Sequence, residues 1–341
     1  MNDPSNALIA SSPQLSLLDK TATFGSWALG GALFLTIGWL AMAPDDPLGP
    51  VSLLTRSGPM LMLLEAAALA AIAAGMATVV AGRLLPDVGT FAAAVGLAAV
   101  SLRGSTAQAL LVDWADVASN AHQALAAKLA LDALGWIAVA IVAVGTSAVV
   151  VRWCFDRTDD GAHTDSPTRV RLPLLLSSAG RHLAGYDLPL VGEKIFGVQA
   201  RRQTPLLDGL KHTLIATGLG LGAIGFLLEG LWSRSTQHGQ SCFVVVVGVG
   251  FACHIAHRTC PVRSALWSIL AAWLIALVAY AWAAVRPAVE GLPATVPASN
   301  FLRILPIQFV AVGTATAVAM FWQIRPAATA AHHPKRPTPA A

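Results

Sequence analysis

Three carboxylates stand inside long apolar stretches of this sequence, and they are the residues best placed to do chemistry. They are Glu65, Asp132 and Glu229, and an ionisable side chain in such a stretch is by default a candidate functional group. All three fall at a similar depth in the topology derived below, with Asp113 and Asp116 just beyond them. Carboxylates in this arrangement bind a cation, a proton or a basic substrate. The sequence therefore predicts an outward-facing vestibule that is a candidate cation or proton site.

Each of these carboxylates also has a plainer interpretation. An acidic side chain near the end of a membrane helix reaches the headgroup region or pairs with a neighbouring base. Asp132, for example, follows Lys128 by four residues, which is the spacing of an ion pair along one helix face. The two interpretations differ in whether the carboxylates share a cavity.

A second cluster of reactive side chains ends one of the apolar stretches. Cys253, His257 and Cys260 are spaced so that they share one face of a helix. Two thiolates and an imidazole are a donor set that zinc or another soft metal accepts, so these residues are a candidate metal site. A single straight helix rarely wraps three ligands around one ion. The alternative is that the cysteines act as small apolar residues.

Glycines in the fifth apolar stretch match a nucleotide-binding pattern without its structural context. Residues 220–225 read G-x-G-x-x-G, but no strand precedes them and they lie within a long apolar run. We interpret Gly218, Gly222 and Gly225 instead as a small-residue face for close helix packing. The sequence also lacks H-E-x-x-H, G-x-S-x-G and Walker-type motifs. It therefore predicts no cofactor and favours no catalytic activity.

The composition indicates what surrounds these side chains. Of the 341 residues, 55% are hydrophobic and only 12% are charged, whereas a soluble domain has about 25% charged residues. A soluble surface of this size would need more polar groups than the chain contains. The predicted fold class is therefore an all-α integral membrane protein whose first partner is the lipid bilayer. No basic stripe alternates with aromatics, so no nucleic-acid partner is expected.

Eight apolar runs are long enough, or nearly long enough, to cross the hydrocarbon core, which takes about 20 helical residues. Prolines and charged residues separate them, and the third run is the shortest. Continuous runs of this length exclude the alternating strands of about 10 residues that build a membrane barrel. The predicted spans are Phe24–Ala43, Met60–Gly82, Asp87–Leu102, Leu129–Val151, Leu207–Leu231, Ser241–His257, Ser264–Val285 and Leu302–Gln323.

The basic residues predict how these spans thread through the membrane. Lys and Arg are retained on the cytoplasmic side, and the segment 152–206 is rich in them. With eight spans, 16 of the 22 Lys and Arg residues fall on the side of that segment. Both termini are then cytoplasmic, in a cell membrane of the bacterial inner-membrane type. The segment 105–128 lies outside, where its spacing of apolar residues predicts a short amphipathic helix.

The same topology divides the chain into five parts. A cytoplasmic N-terminal segment, 1–23, precedes a first transmembrane half of four spans, 24–151, and a cytoplasmic loop, 152–206. A second transmembrane half of four spans, 207–323, precedes a cytoplasmic tail, 324–341. The Pro- and Ala-rich composition of this tail predicts disorder.

These observations leave three functional hypotheses. The first, which the lack of motifs favours, is a structural or accessory multi-pass protein that works with other membrane subunits and has no catalytic activity of its own. The second is a transporter of a small solute or a lipid that uses the three outward-facing carboxylates. The third is an intramembrane enzyme or a metal-binding protein that uses the cysteine and histidine cluster.

Overall fold

The computed structural model of the chain is a bundle of helices. It describes residues 17–46, 48–82, 85, 87–115, 121–155, 206–230, 237–286, 297 and 299–331. Within these ranges the chain forms helices and no strand, as the long continuous apolar runs predict. The described part of the protein is therefore all-α.

Nine α-helices, numbered in chain order, make up the described structure. The first, α1, consists of Leu17–Leu33, a π-helical turn at Phe34–Gly38 and a last turn at Trp39–Met42. Short 3₁₀ turns at Leu53–Thr55 and Asn300–Arg303 precede α2 and α9. The other helices are α2 (Pro59–Ala81), α3 (Val88–Ser101), α4 (Ala107–Ala115), α5 (Ala121–Phe155), α6 (Leu206–Gly230), α7 (His238–Thr259), α8 (Leu266–Val285) and α9 (Pro306–Ala331).

Seven of these helices are apolar and long enough to cross a membrane, by length and composition; they are α1, α2 and α5 to α9. Their outward faces carry large apolar side chains such as Leu40, Leu64 and Phe226. Soluble monomers rarely expose apolar surface on this scale, whereas helices in a membrane expose such surface to lipid. The helices therefore indicate a membrane-embedded, multi-pass protein.

The third predicted span forms a shorter helix at the centre of the bundle. The helix α3 has 14 residues, which is about 21 Å at the usual helical rise. It packs against α1, α2, α5 and α9, and most of its residues are buried. Because protein covers its sides, α3 does not have to match the full hydrocarbon thickness alone.

Glycines permit the close approach of α1 and α3. A side chain at Gly96 would collide with the ring of Phe34 and approach the carbonyl oxygen of Gly30. A side chain at Gly30 would in turn meet the carbonyl oxygen of Ala92. Phe34 begins the π-helical turn of α1, so the local widening of that helix coincides with this close contact. Small residues at the contact are what membrane bundles generally use.

The two ends of the bundle differ in what covers them. One end, which we name the capped end, carries loop 1 (residues 43–58), α4 and the 3₁₀ turn Asn300–Arg303. The backbone N–H of Ser105 donates to the Gly49 carbonyl there at 3.1 Å, which joins loop 1 to the segment after α3. The other end, the turn end, holds the end of α2, the start of α3 and the connection 260–265 between α7 and α8. The helix α3 starts at the turn end and finishes at the capped end.

The structure places several helix ends away from the predicted span boundaries. A short helix is present in the segment 105–128, as predicted, and is α4, whereas the residues from Ala121 onward already belong to the 35-residue α5, so the fourth span starts before Leu129. The last span starts at Pro306 instead of Leu302, since a 3₁₀ turn precedes the proline and proline suits the first turn of a helix.

The predicted polar segments are only partly described. Residues 324–331 of the predicted disordered tail are helical, because α9 continues to Ala331. Most of the predicted cytoplasmic loop 152–206 lies outside the described residues, as do residues 1–16 of the N-terminal segment and residues 332–341 of the tail. The predicted disorder and cytoplasmic location of those parts stay predictions.

Candidate functional site: a buried carboxylate at the capped end

Asp132 is the predicted site carboxylate that the structure buries most deeply. It lies on α5, about three turns from the start of the helix, and only 2% of it is exposed. Its Oδ2 atom accepts a hydrogen bond from Ser52 Oγ at 2.5 Å, and its Oδ1 atom faces the Leu53 backbone N–H at 3.4 Å. The carboxylate is therefore held by loop 1, which precedes it in the chain by 80 residues.

The groups around Asp132 are neutral. The indole N–H of Trp136, one turn further along α5, faces the carboxylate without reaching hydrogen-bonding geometry. Tyr280 of α8 lies within electrostatic reach of the carboxylate, but its hydroxyl donates to the Ile304 carbonyl at 2.5 Å. Among the described residues that act on Asp132, none carries a positive charge.

Lys128, which the helical spacing makes a partner of Asp132, points elsewhere. Its side chain is exposed, and its Nζ atom lies 4.4 Å from the centre of the Trp114 ring. This cation–π contact holds α4 against α5. It takes the place of the local ion pair and leaves Asp132 without its nearest basic residue in the sequence.

Loop 1 has hydrogen bonds of its own that keep it compact over Asp132. Ser52 Oγ accepts from the Leu54 backbone N–H at 3.2 Å and so caps the 3₁₀ turn of the loop. Asp45 Oδ2 accepts from the Ser57 backbone N–H at 2.6 Å, which ties the two ends of the loop together. Ser52 is itself fully buried. The loop therefore covers the carboxylate from the capped end.

Glu65 also contacts loop 1, but through an ion pair. Its Oε2 atom lies 3.5 Å from Arg56 Nη1, and both side chains are partly exposed. The structure thus brings Glu65 and Asp132 beneath the same loop, one paired with a base and the other with neutral donors. A partly exposed pair contributes little to stability, and its arginine already neutralises the carboxylate. Glu65 is therefore less suited than Asp132 to bind a further cation.

Glu229 lies apart from the other two carboxylates. It is exposed near the end of α6, which packs against α7 and α8, whereas Glu65 lies on α2, which packs against α1, α3 and α5. Glu229 lines a surface pocket together with Trp282 and Arg286 of the α8 end. The vestibule shared by three carboxylates stays a prediction, and the described residues place its members in two separate settings.

At the turn end, the predicted cluster of Cys253, His257 and Cys260 includes a histidine that sequence reasoning missed. His212 of α6 is fully buried, and its ring centre lies 6.1 Å from that of His257. Its Nδ1 atom lies 3.0 Å from the Cys260 carbonyl oxygen. Because a carbonyl only accepts, Nδ1–H is the donor, and the neutral ring then accepts at Nε2 from Ser268 Oγ at 3.0 Å.

This geometry describes a helix clamp better than a metal centre. Cys260 takes part through its backbone carbonyl, and Cys253 is buried in the apolar core with its thiol beside the Ser268 hydroxyl. In the part of the chain that the structure describes, no three His, Cys, Asp or Glu side chains are grouped so that they could hold a metal ion. The bonds of His212 instead tie α6 to the turn between α7 and α8. Thr213 Oγ1 adds a bond to the Trp267 carbonyl at 3.1 Å.

The pair of Ser268 and His212 has the atom arrangement of a hydroxyl nucleophile and its base. The serine hydroxyl points at Nε2, and the Cys260 carbonyl orients the opposite ring nitrogen. However, Ser268 is 3% exposed and His212 is completely buried. Since a nucleophile must reach its substrate, we interpret these bonds as structural.

The small-residue face predicted at Gly218, Gly222 and Gly225 of α6 makes little close contact, and a side chain at Gly225 would lie 3.6 Å from Phe301, an ordinary contact distance. Gly220, which is not part of that predicted face, does permit close packing, because a side chain there would collide with Ile275 of α8. Gly218 and Gly222 are exposed, and a side chain at either position would meet nothing within 4 Å. The described residues of this chain therefore do not pack closely against these two glycines.

No known protein family, curated protein or solved structure matches the chain. Its packing and its buried polar groups are therefore what points to a function.

Proposed function

We propose that the protein is a multi-pass protein of a bacterial-type inner membrane, with eight crossing helices and both termini in the cytoplasm. The capped end then faces outward and the turn end inward. The basic residues support this orientation, since 16 of the 22 Lys and Arg lie on the inner side. The eighth crossing is α3, which reaches from one end of the bundle to the other inside a shell of α1, α2, α5 and α9.

We further propose that its role is structural or accessory, in an assembly with other membrane subunits. The observation that carries this proposal is the filled centre of the bundle, where α3 and α9 pack against each other and against α5. Even a methyl group at Gly89 would collide with Thr78 and the Ala74 carbonyl. A carrier needs a path between its helices, and packing this close favours a protein that binds to others over one that passes a solute.

An open face on α6 supports the same role. Gly218 and Gly222 form an exposed G-x-x-x-G pair. Such pairs let the backbones of two membrane helices approach closely. In an assembly, a membrane helix of a partner subunit would lie on this face.

Native mass spectrometry of the protein, extracted from its own membranes in mild detergent, tests the accessory role. We expect a complex of fixed stoichiometry with another membrane polypeptide. Leucine at both Gly218 and Gly222 should release that polypeptide, because the helices could no longer approach. Gly145→Leu in α5, at a position that also faces open space, is the matched control and should not release the polypeptide. A free chain that carries solute in reconstituted vesicles would contradict the proposal.

Asp132 supports a second candidate, a proton- or cation-coupled carrier of a small solute or a lipid. A buried carboxylate without a basic partner is typical of coupling sites inside membranes. In reconstituted vesicles, Asp132→Asn should then abolish coupled uptake. Glu229→Gln should not, because Glu229 lies apart on α6. Equal uptake by the two variants would contradict this candidate.

A further inference from the structure

Three properties of Asp132 together point to a bound proton. The residue is buried, its oxygen atoms contact neutral donors, and those donors belong to a loop at the capped end. An ionised carboxylate buried without a counter-charge is costly, and a bound cation removes that cost. A metal cation would need several more oxygen ligands around it. The proton needs only the carboxylate.

Five charged or titratable residues of the surrounding elements have contacts of their own. Arg56 of loop 1 pairs with Glu65 of α2, and Lys128 of α5 lies over an aromatic ring. The Tyr280 hydroxyl of α8 donates to a carbonyl. Arg303, on the 3₁₀ turn that packs against α8, also has interactions of its own. The contacts of the buried carboxylate itself are with neutral groups.

We propose that Asp132 is a proton-binding site, and that the bound proton keeps loop 1 seated over it through Ser52. The proton comes from water at the capped end and returns there, which converts the carboxylate to a carboxylic acid and back. The proposal goes beyond both roles suggested above, because it concerns the site and holds whatever the protein assembles with or carries.

Ser52 couples the proton to the position of the loop. With the proton bound, Asp132 is neutral and the bond between Ser52 and Asp132 holds loop 1 in place. When the proton leaves, the carboxylate gains more from hydration than from the two donors that loop 1 offers. The loop therefore lifts and admits water, so loop 1 is seated in acid and lifted in alkali.

Infrared difference spectroscopy of the full chain in lipid nanodiscs tests the proton itself. We expect the carbonyl band of a protonated carboxylic acid in acid buffer and its loss in alkaline buffer. Glu65→Gln and Glu229→Gln should keep this band, and Asp132→Asn should lack it. Ser52→Ala keeps the acid but removes its hydrogen bond, so it should shift the band. That shift identifies Asp132 even if the Asn variant fails to fold.

Cysteine labelling tests the movement of the loop. Val51→Cys, at a position that is fully buried in loop 1, is compared with Leu48→Cys, at a position that is 80% exposed in the same loop. Mass spectrometry of the labelled peptides separates both from the native cysteines, and the Leu48 site corrects for the faster reaction of thiols in alkali. Between about pH 5 and about pH 9, the ratio of labelling at Val51 to labelling at Leu48 should rise about tenfold. The rise is expected because the buried acid loses its proton and loop 1 then lifts. With Asp132→Asn the ratio should stay low throughout.

Either experiment can overturn the proposal. An infrared band that is absent at every pH, or that persists unchanged in Asp132→Asn and in Ser52→Ala, would show that Asp132 binds no proton. A labelling ratio that does not change with pH would show that the loop does not respond. A ratio that changes with sodium but not with choline at constant ionic strength and pH would assign the site to a metal cation, and the proposal would be wrong.

Discussion

The capped end and the turn end both bury polar side chains in an apolar bundle, but they satisfy them differently. At the turn end, His212 uses both ring nitrogens in bonds between neutral groups, to the Cys260 carbonyl and the Ser268 hydroxyl. At the capped end, Asp132 has neutral donors but is itself an acid. The hydrogen bonds of His212 are complete as they stand, whereas Asp132 is neutral only with a proton. A saturated neutral network rigidifies a bundle, and an acid without a base is a candidate for function.

The largest effect should come from breaking the turn end. His212→Ala removes two hydrogen bonds, leaves a buried serine hydroxyl without its acceptor and opens a cavity. We expect the free energy of unfolding in detergent to fall by about 3 kcal/mol. His254→Ala is the control: this histidine lies on the adjacent helix and is only half-buried, so it should cost less than about 1 kcal/mol. Equal losses in the two variants would remove the distinction between a clamp residue and an ordinary one.

The next largest effect should appear at the capped end and depend on pH. Asp132→Asn keeps an acceptor for Ser52 but never carries a charge. Because the folded protein holds a proton that the unfolded chain releases, the wild type is stable in acid and loses stability as the pH rises. We expect the Asn variant to be more stable than the wild type by about 1–2 kcal/mol in alkali, with the difference closing in acid. Thermal unfolding of both proteins across pH measures this, and a difference that is constant across pH would count against a buried acid.

Ser268→Ala should have a smaller effect than His212→Ala at the same end. It removes one bond to Nε2, while the bond from Nδ1–H to the Cys260 carbonyl remains. A loss of about 1 kcal/mol in the free energy of unfolding is expected. Ser57→Ala, at an exposed position of loop 1, serves as the control and should change nothing measurable. A loss as large as that of His212→Ala would mean that the serine, not the histidine, organises the clamp.

The smallest effect should come from the ion pair beside Asp132. Glu65→Gln breaks the contact with Arg56, which is partly exposed, and should change the free energy of unfolding by less than about 0.5 kcal/mol. Added salt should not alter that result much, since the pair is already weak. A loss comparable to that of the clamp variants would show that loop 1 is held by Glu65 instead of Ser52.

The helices could be predicted well because lipid imposes one simple rule on them. A backbone in lipid must satisfy its own hydrogen bonds over about 20 residues, so run length alone indicates the seven long helices. The rule fails for α3, which is covered by protein and therefore shorter. It also fails at Ala121, where α5 begins before the apolar run because nothing in the sequence forces the helix to stop at the membrane.

The contacts of the polar residues could be predicted only in part. Asp132 was recognisable from its apolar surroundings, but Ser52 was not, because loop residues follow no period and the two lie 80 residues apart. The spacing of Lys128 suggested a pair that Trp114, from another helix, replaces. His212 escaped notice because its partner is the backbone carbonyl of Cys260. Every residue has a backbone carbonyl, so the residue type at position 260 does not reveal that this carbonyl accepts a hydrogen bond.

The contrast between the two ends presupposes that they face opposite sides of a membrane. Single cysteines at Leu48, exposed at the capped end, and at Lys211, exposed near the turn end, can be labelled on intact cells with a membrane-impermeant maleimide and identified by mass spectrometry. We predict that the Leu48 site reacts before permeabilisation and the Lys211 site only after it. The reverse order would contradict the orientation, and reaction of both sites on intact cells would contradict a bundle that spans the membrane between them.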